Sequence, residues 1–164
     1  MYHTHLHIVL ASKRPNNDYG RSKNYFPGAV VCTAFGTKRR GGCVNTFRVG
    51  RLDEFVEGGR KVVSCDGVEI GVFMIMGQLL AWYNNCPHMR GPVCQGRIYK
   101  RVLEPVGADR TVSIQQHSED HIHIVCPWHG YEFDLLTGEH PSGSGRRLRR
   151  ADLKIMDDEI YVVI

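Results

Sequence analysis

Cys126-Pro127-Trp128-His129-Gly130-Tyr131-Glu132-Phe133-Asp134 sets a thiol and an imidazole three residues apart on one short stretch. Upstream, Cys86-Pro87-His88-Met89-Arg90-Gly91 offers the same pair at a spacing of two. Two soft sulfur ligands and two borderline nitrogen ligands, delivered by two short segments, are a metal-site pattern. The bare spacing suits a structural zinc ion with two Cys and two His. It also suits a two-iron, two-sulfide cluster in which two His replace two Cys on one iron. The flanking residues separate these readings. Each cysteine precedes a proline, which has a fixed φ and no N–H and pushes the residue before it into an extended conformation. The ligands therefore belong to stiff loops, whereas zinc fingers place their histidines on a helix. Gly91 and Gly130 let the backbone approach a cluster whose sulfides accept N–H donors.

With Thr137-Gly138-Glu139 closing the second segment, these loops resemble the cluster-binding loops of Rieske proteins. They are most similar to those of the soluble Rieske ferredoxins of bacterial ring-hydroxylating oxygenase systems. The likeness runs from about Phe47 to Ile164, and the second loop is its most specific part. The resemblance implies an all-β Rieske fold, a small antiparallel β-sandwich or barrel with a two-loop cluster-binding subdomain. It implies one Rieske-type [2Fe–2S] cluster, with Cys86 and Cys126 on the buried iron and His88 and His129 on the outer one. Replacing two thiolates by neutral imidazoles takes the oxidised cluster from a formal charge of about −2 to about zero, which raises its potential above that of all-cysteine ferredoxins.

The implied function is one-electron transfer, with no catalytic residue of its own. A flavin or iron–sulfur reductase would be the donor and an oxygenase terminal component the acceptor. Two alternatives share the loops: the small Rieske subunit of an assimilatory nitrite reductase, and a redox-sensing Rieske protein. An oxygenase catalytic subunit also carries mononuclear iron on two His and a carboxylate. After His129 only His140 follows, so we expect a component of an oxygenase system and not its catalytic subunit. High-potential Rieske proteins add a loop disulfide and Ser and Tyr donors to sulfur. The matching positions here are Gly91, Trp128, Tyr131 and Phe133, which predicts a potential at the low end of the range.

Composition is consistent with this reading. The chain has 164 residues, 42% of them apolar, room for one globular domain. No stretch approaches the roughly 18 apolar residues of a membrane-spanning helix. Arg39-Arg40 is followed by Gly-Gly-Cys-Val-Asn, not by the apolar run of an export signal, so a cytoplasmic location is expected. Six cysteines are then metal ligands and free thiols, with Cys32, Cys43, Cys65 and Cys94 as ordinary thiols. Basic residues are not interleaved with a stacking surface, and no nucleic-acid partner is expected.

Charge divides the chain. Residues 1–43 hold seven Lys/Arg against Asp18, a net of +6, and residues 44–164 carry a net of −2. We expect residues 1–43 to be a basic extension, disordered or a start-site artefact, and residues 44–164 to be the Rieske domain. His3, His5 and His7 read as part of a polar tail. Strands are expected at Lys61–Cys65, Val68–Met76, Leu79–Tyr83, His121–Val125 and Glu159–Ile164, joined by Asp66-Gly67, Gly77-Gln78 and Asp157-Asp158 turns. One or two helical turns are expected between Arg51 and Gly59. His121 and His123 read as an exposed strand face, and Arg146–Arg150 as a solvated strand with Leu148 inward.

Between the ligand pairs, Met89 to Val125 spans 37 residues, longer than in the ferredoxins the chain resembles. The excess around Tyr99–Asp120 reads as a lengthened hairpin turning at Gly107–Arg110. It is either a surface insertion or a contact for a partner beside the cluster.

Overall fold

The structure is a computed structural model. It describes the backbone of Val30–Val31, Ala34–Arg39 and residues 42–164, with side chains from Asn45 onward. The described residues hold eleven strands, β1 (Val30–Val31), β2 (Ala34–Arg39), β3 (Gly42–Arg51), β4 (Arg60–Cys65), β5 (Val68–Ile75), β6 (Gln78–Tyr83), β7 (Arg97–Leu103), β8 (Gln116–Val125), β9 (Glu132–Asp134), β10 (Asp152–Met156) and β11 (Glu159–Val163). They form three sheets, β1-β4-β5-β6, β10-β11-β3-β2 and β7-β8-β9. Every pairing is antiparallel except the two-residue β1–β4 contact.

β5 explains how the sheets stack. Side chains alternate between the two faces of a strand, and here both faces are buried. Ile70 and Val72 join Phe47, Val49, Val63, Ile160 and Val162 in one core, against β3 and β11. Phe73 and Ile75 point the other way and join Trp82, Ile122, Ile124, Phe133 and Leu135 in a second core that includes Cys86 and Cys126. A strand covered on both sides carries a near-continuous apolar run, and Ile70–Ile75 is one. The cluster-loop sheet is therefore packed onto the β4–β6 sheet.

Tight turns set the registers. Asp66-Gly67 and Asp157-Asp158 have positive φ at both residues, the type I′ geometry that matches strand twist. The expected Gly77-Gln78 turn lies one residue earlier, at Met76-Gly77, because Ile75 pairs with Gln78. Met76 takes φ 51°, and the Glu57 carboxylate accepts both its amide (2.6 Å) and that of Gly77 (2.8 Å). The helical segment shrinks to a 3-10 turn at Leu52–Glu54, since Arg51 stays in β3.

The proposed division at residue 44 falls within β3, and β2 pairs along β3 from Ala34↔Phe47 to Arg39↔Gly42. His3, His5 and His7 lie outside the described residues, as do the side chains of Cys32 and Cys43. Cys65 and Cys94 are buried.

The insertion is a lengthened hairpin. β7 and β8 pair from Arg97↔Val125 to Leu103↔Gln116, with an irregularity between Lys100 and Val102. Beyond them Val106 bridges Val112, and Arg110 N–H donates to Gly107 O at 2.9 Å. Residues 104–115 are all exposed, and the Gln115 side chain bonds within the segment, to Glu104. Loop closure costs little per residue. Replacing Glu104–Gln115 by Asn-Gly is thus expected to leave iron content unchanged and stability within about 1 kcal/mol. Iron analysis and urea denaturation check this, and loss of iron would show that the arm supports the cluster loops.

Candidate metal centre

The two ligand segments close in the same way. Cys86 N–H donates to Gly91 O (2.9 Å) and Arg90 N–H to Cys86 O (2.7 Å). In the second loop Cys126 N–H donates to Tyr131 O (2.7 Å) and Gly130 N–H to Cys126 O (3.0 Å). The fourth residue after each cysteine has positive φ, 59° at Arg90 and 69° at Gly130. The first loop follows β6, and the second joins β8 to β9 at the end of the Val125↔Glu132 pairing.

The fold brings all four sequence-predicted ligands together. Cys86 and Cys126 are each 1% exposed, within the apolar core. The His88 and His129 rings meet edge to face at 4.9 Å, with His88 partly buried and His129 exposed. Burial pushes the Cys86 thiol up, and the neighbouring Cys126 thiol adds to that, while the His88 and Met89 amides favour its thiolate. Burial, then His129 and Arg146, hold the His88 imidazole below its ordinary pKa, which favours the neutral form that a metal needs. Its Nδ1 is buried without a hydrogen-bond partner. A buried imidazole lone pair with no donor beside two buried thiols is the donor set that a cationic metal centre satisfies. A β-carbon on Gly91 would stand 3.0 Å from Cys126 Sγ and 2.9 Å from Trp128 Cγ, so the bare glycine lets the two loops close.

Other residues shape the site without having been singled out as part of it. Tyr131 stacks on His88 with ring centroids 4.0 Å apart and planes 12° apart. Its hydroxyl accepts a hydrogen bond from Arg146 Nη1 at 2.6 Å. Arg146 belongs to the basic run, which is not a strand: only isolated bridges, Glu139↔Arg147 and Trp82↔Arg150, occur there. Its guanidiniums are spread over ring and carboxylate partners, Arg149 over Tyr83 at 4.1 Å and Arg147 on Glu139 at 2.6 Å. Leu148 does point inward, at 3% exposure. Cys94 stays apart from the ligands, its thiol donating to Trp82 O and its N–H to Asn84 Oδ1. Burial pushes that thiol up to about 12.

The segment after the second loop is held by Asp134. Its Oδ1 accepts the Leu136 and Thr137 amides, each at 2.9 Å, and the Thr137 hydroxyl at 3.2 Å. An Asx turn of this kind needs a short side-chain acceptor. Burial disfavours the Asp134 carboxylate, but bonds from His121 and the Thr137 and Leu136 amides outweigh it, with help from His123, and hold its pKa below the usual value. A depressed folded-state pKa gives stability that is present above the unfolded value and lost as pH falls through the folded one. Below about pH 4 the parent protein is expected to lose urea resistance more steeply than Asp134→Asn, which keeps the turn acceptor but has no carboxylate. Parallel slopes would remove Asp134 as the cause.

A family profile described as the Rieske [2Fe–2S] domain matches residues 45–145. No curated protein matches the chain. Among solved structures, a Mycobacterium tuberculosis protein described as an NADH-dependent nitrite reductase small subunit is 15% identical. It aligns over 73% of this chain and 94% of its own, with a TM-score of 0.53. The Escherichia coli protein NirD is 10% identical over 74% of this chain and 97% of its own, with a TM-score of 0.52. A complex of reduced oxygenase and oxidised ferredoxin of carbazole 1,9a-dioxygenase contributes a chain 20% identical, over 71% of this chain and 91% of its own, with a TM-score of 0.51. At these identities the likeness is one of fold. The profile, which covers both cluster loops, shows that this chain belongs to the Rieske [2Fe–2S] domain family, an electron carrier whose cofactor is a Rieske-type [2Fe–2S] cluster.

Proposed function

We propose that Cys86 and Cys126 hold the inner iron and His88 and His129 the outer iron, and that the chain passes single electrons from a flavin or iron–sulfur reductase to a ring-hydroxylating oxygenase. The asymmetry of the site carries this reading: both thiols are in the core, while His129 is exposed, as are Trp128 (60%) beside it and Met89 (59%) in the first loop. When bound, the cluster supplies a reversible one-electron couple. The protein's residues do the rest. The core around Cys86 and Cys126 excludes water, Tyr131 fixes the His88 ring, and Arg146 anchors Tyr131. The exposed His129 edge, with its apolar flanks, is where a partner can approach closely.

The Phe133-Asp134-x-x-Thr137-Gly138 ending supports the oxygenase reading. A fixed role as the small subunit of a nitrite reductase is the second reading, supported by the same fold in the Mycobacterium tuberculosis protein described as such a subunit. Rapid mixing of reduced protein with a purified ring-hydroxylating oxygenase and with a nitrite reductase large subunit separates them. Fast reoxidation by the oxygenase is expected. Reoxidation only by the reductase subunit would overturn the first reading in favour of the second.

The potential is expected near the low end of the Rieske range, on the order of −150 mV. Phe133 offers no donor, and the Tyr131 hydroxyl is held at Arg146 Nη1, from which it accepts, with its ring stacked on His88. Fewer donors to sulfur leave the more negative, reduced state less stabilised. A midpoint above about +100 mV by redox titration would show that Tyr131 or another donor serves the cluster after all.

A further inference from the structure

His121 and His123 do not form the exposed face that strand alternation suggests. His121 is half exposed, but His123 is 1% exposed, although Ile122 and Ile124 on the other face are buried too. β8 is the middle strand of its sheet, between β7 and β9, and the pairing His123↔Asp134 sets Asp134 beside both histidines. His121 Nδ1 lies 2.9 Å from Asp134 Oδ2, and His123 Nε2 lies 3.7 Å from the same oxygen. The three ligand atoms all fall within 4.8 Å of one another.

We propose that His121 Nδ1, His123 Nε2 and Asp134 Oδ2 form a second metal site, for a single divalent first-row transition ion such as Zn²⁺. The lone pairs decide this. His123 Nδ1 is hydrogen-bonded to Glu132 Oε1, and a carboxylate can only accept, so Nδ1 carries the proton. Nε2 then presents a lone pair to Asp134 Oδ2 across 3.7 Å, beyond hydrogen-bond length. Oδ2 also faces His121 Nδ1 at 2.9 Å and accepts a hydrogen bond from the proton on that nitrogen. A cation among the three atoms takes the place of that proton, which moves to His121 Nε2 as the neutral ring changes tautomer. The cation also relieves the convergence of His123 Nε2 and Asp134 Oδ2. Tetrahedral zinc with bonds of about 2.0–2.1 Å spaces its ligand atoms about 3.3 Å apart, and the observed separations of 2.9 and 3.7 Å bracket that value.

The outer support is also present. Glu132 completes a carboxylate–histidine arrangement of the kind that orients metal-ligating imidazoles. Glu132 is in turn hydrogen-bonded to the Tyr99 hydroxyl. Asp134 Oδ1 takes the three bonds of the Asx turn, and Oδ2 is the oxygen that faces the histidines. The half-exposed His121 gives the ion a path from solvent. Two imidazoles and one carboxylate leave coordination positions for water, a set suited to zinc or ferrous iron and not to calcium or magnesium. The site is at the base of the β8–β9 hairpin whose tip is the second cluster loop. Its residues are separate from the four cluster ligands, and the inference does not depend on the electron-transfer partner.

The test uses cluster-loaded full-length protein carrying His3→Ala, His5→Ala and His7→Ala, so that leader histidines bind nothing. Equilibrium dialysis against Zn²⁺ followed by metal analysis is expected to show about one zinc per chain beside unchanged cluster iron and visible absorbance. His121→Ala, at a half-exposed position that folding tolerates, is expected to weaken zinc binding at least tenfold. Glu132→Gln is expected to weaken it about 10- to 100-fold through His123. Zinc held equally by the parent and His121→Ala, or no stoichiometric zinc in the parent, would overturn the proposal and leave a hydrogen-bonded network only.

Discussion

His88→Ala and Cys126→Ala proteins are expected to purify colourless and without stoichiometric iron, whereas the parent holds about two irons per chain. The His88 ring is fixed by Tyr131 on one face and meets His129 edge-on, and among the described residues no other imidazole stacks or packs on that ring. Among the described cysteines Cys126 has no substitute either. The nearest candidate by sequence to the first loop, Cys94, has its thiol committed to the Trp82 carbonyl and lies against Gly71, where an added β-carbon would be 2.7 Å from its sulfur. Cys94→Ala is therefore the informative control, expected to fold and retain iron. Iron analysis, visible absorbance and the electron resonance spectrum of the reduced proteins check the set together. A replete His88→Ala protein, or a folded Cys94→Ala protein lacking iron, would sink the ligand assignment.

Gly91→Ala is expected to be the most damaging substitution that removes no ligand. Its new methyl would press on Cys126 Sγ at 3.0 Å and on two Trp128 ring atoms at 2.9 and 3.0 Å. The Trp128 ring is 60% exposed and can swing away. The sulfur cannot, because Cys126 is tied at both its N–H and its carbonyl within a closed loop. Overpacking of this kind costs on the order of 1–3 kcal/mol, and here it acts on a proposed ligand, so the loops are expected to separate and iron to be lost faster. Gly130→Ala provides the contrast. A β-carbon there meets nothing within 4 Å, and only the left-handed φ of 69° is at issue, worth about 1 kcal/mol. That variant is expected to keep its iron. Bleaching of visible absorbance during chelator challenge ranks the two, and equal rates would mean that space at Gly91 does not govern loop closure.

The two loops illustrate what can be read without coordinates. Ligand-type side chains at short spacing, the Pro after each Cys and the glycines are local chemistry, so Cys86, His88, Cys126 and His129 stood out as the proposed ligands from residue types and spacing. The type I′ turns at Asp66-Gly67 and Asp157-Asp158 were legible for the same reason, since only certain residues tolerate positive φ. At Met76 a remote carboxylate, Glu57, stabilises the turn amides, and no local signal reports that.

Burial and partnership across the sheets were decided only in three dimensions. Alternation along β8 distinguishes two faces but cannot say that both are covered, because coverage comes from β7, β9 and the sheet beneath. That is why His123 reads as exposed in one dimension and is buried beside Glu132 and Asp134 in three. The basic run follows the same logic. Its charges suggest solvent, yet Arg146 is bound to Tyr131, fifteen residues away, and through that ring supports His88. Short-range sterics and ligand chemistry are written in neighbouring residues, and so the sequence by itself determined the cluster loops and the all-β class. Desolvation and side-chain pairing depend on which strands lie side by side, and so the tertiary structure alone decided which polar groups surround the metal centre.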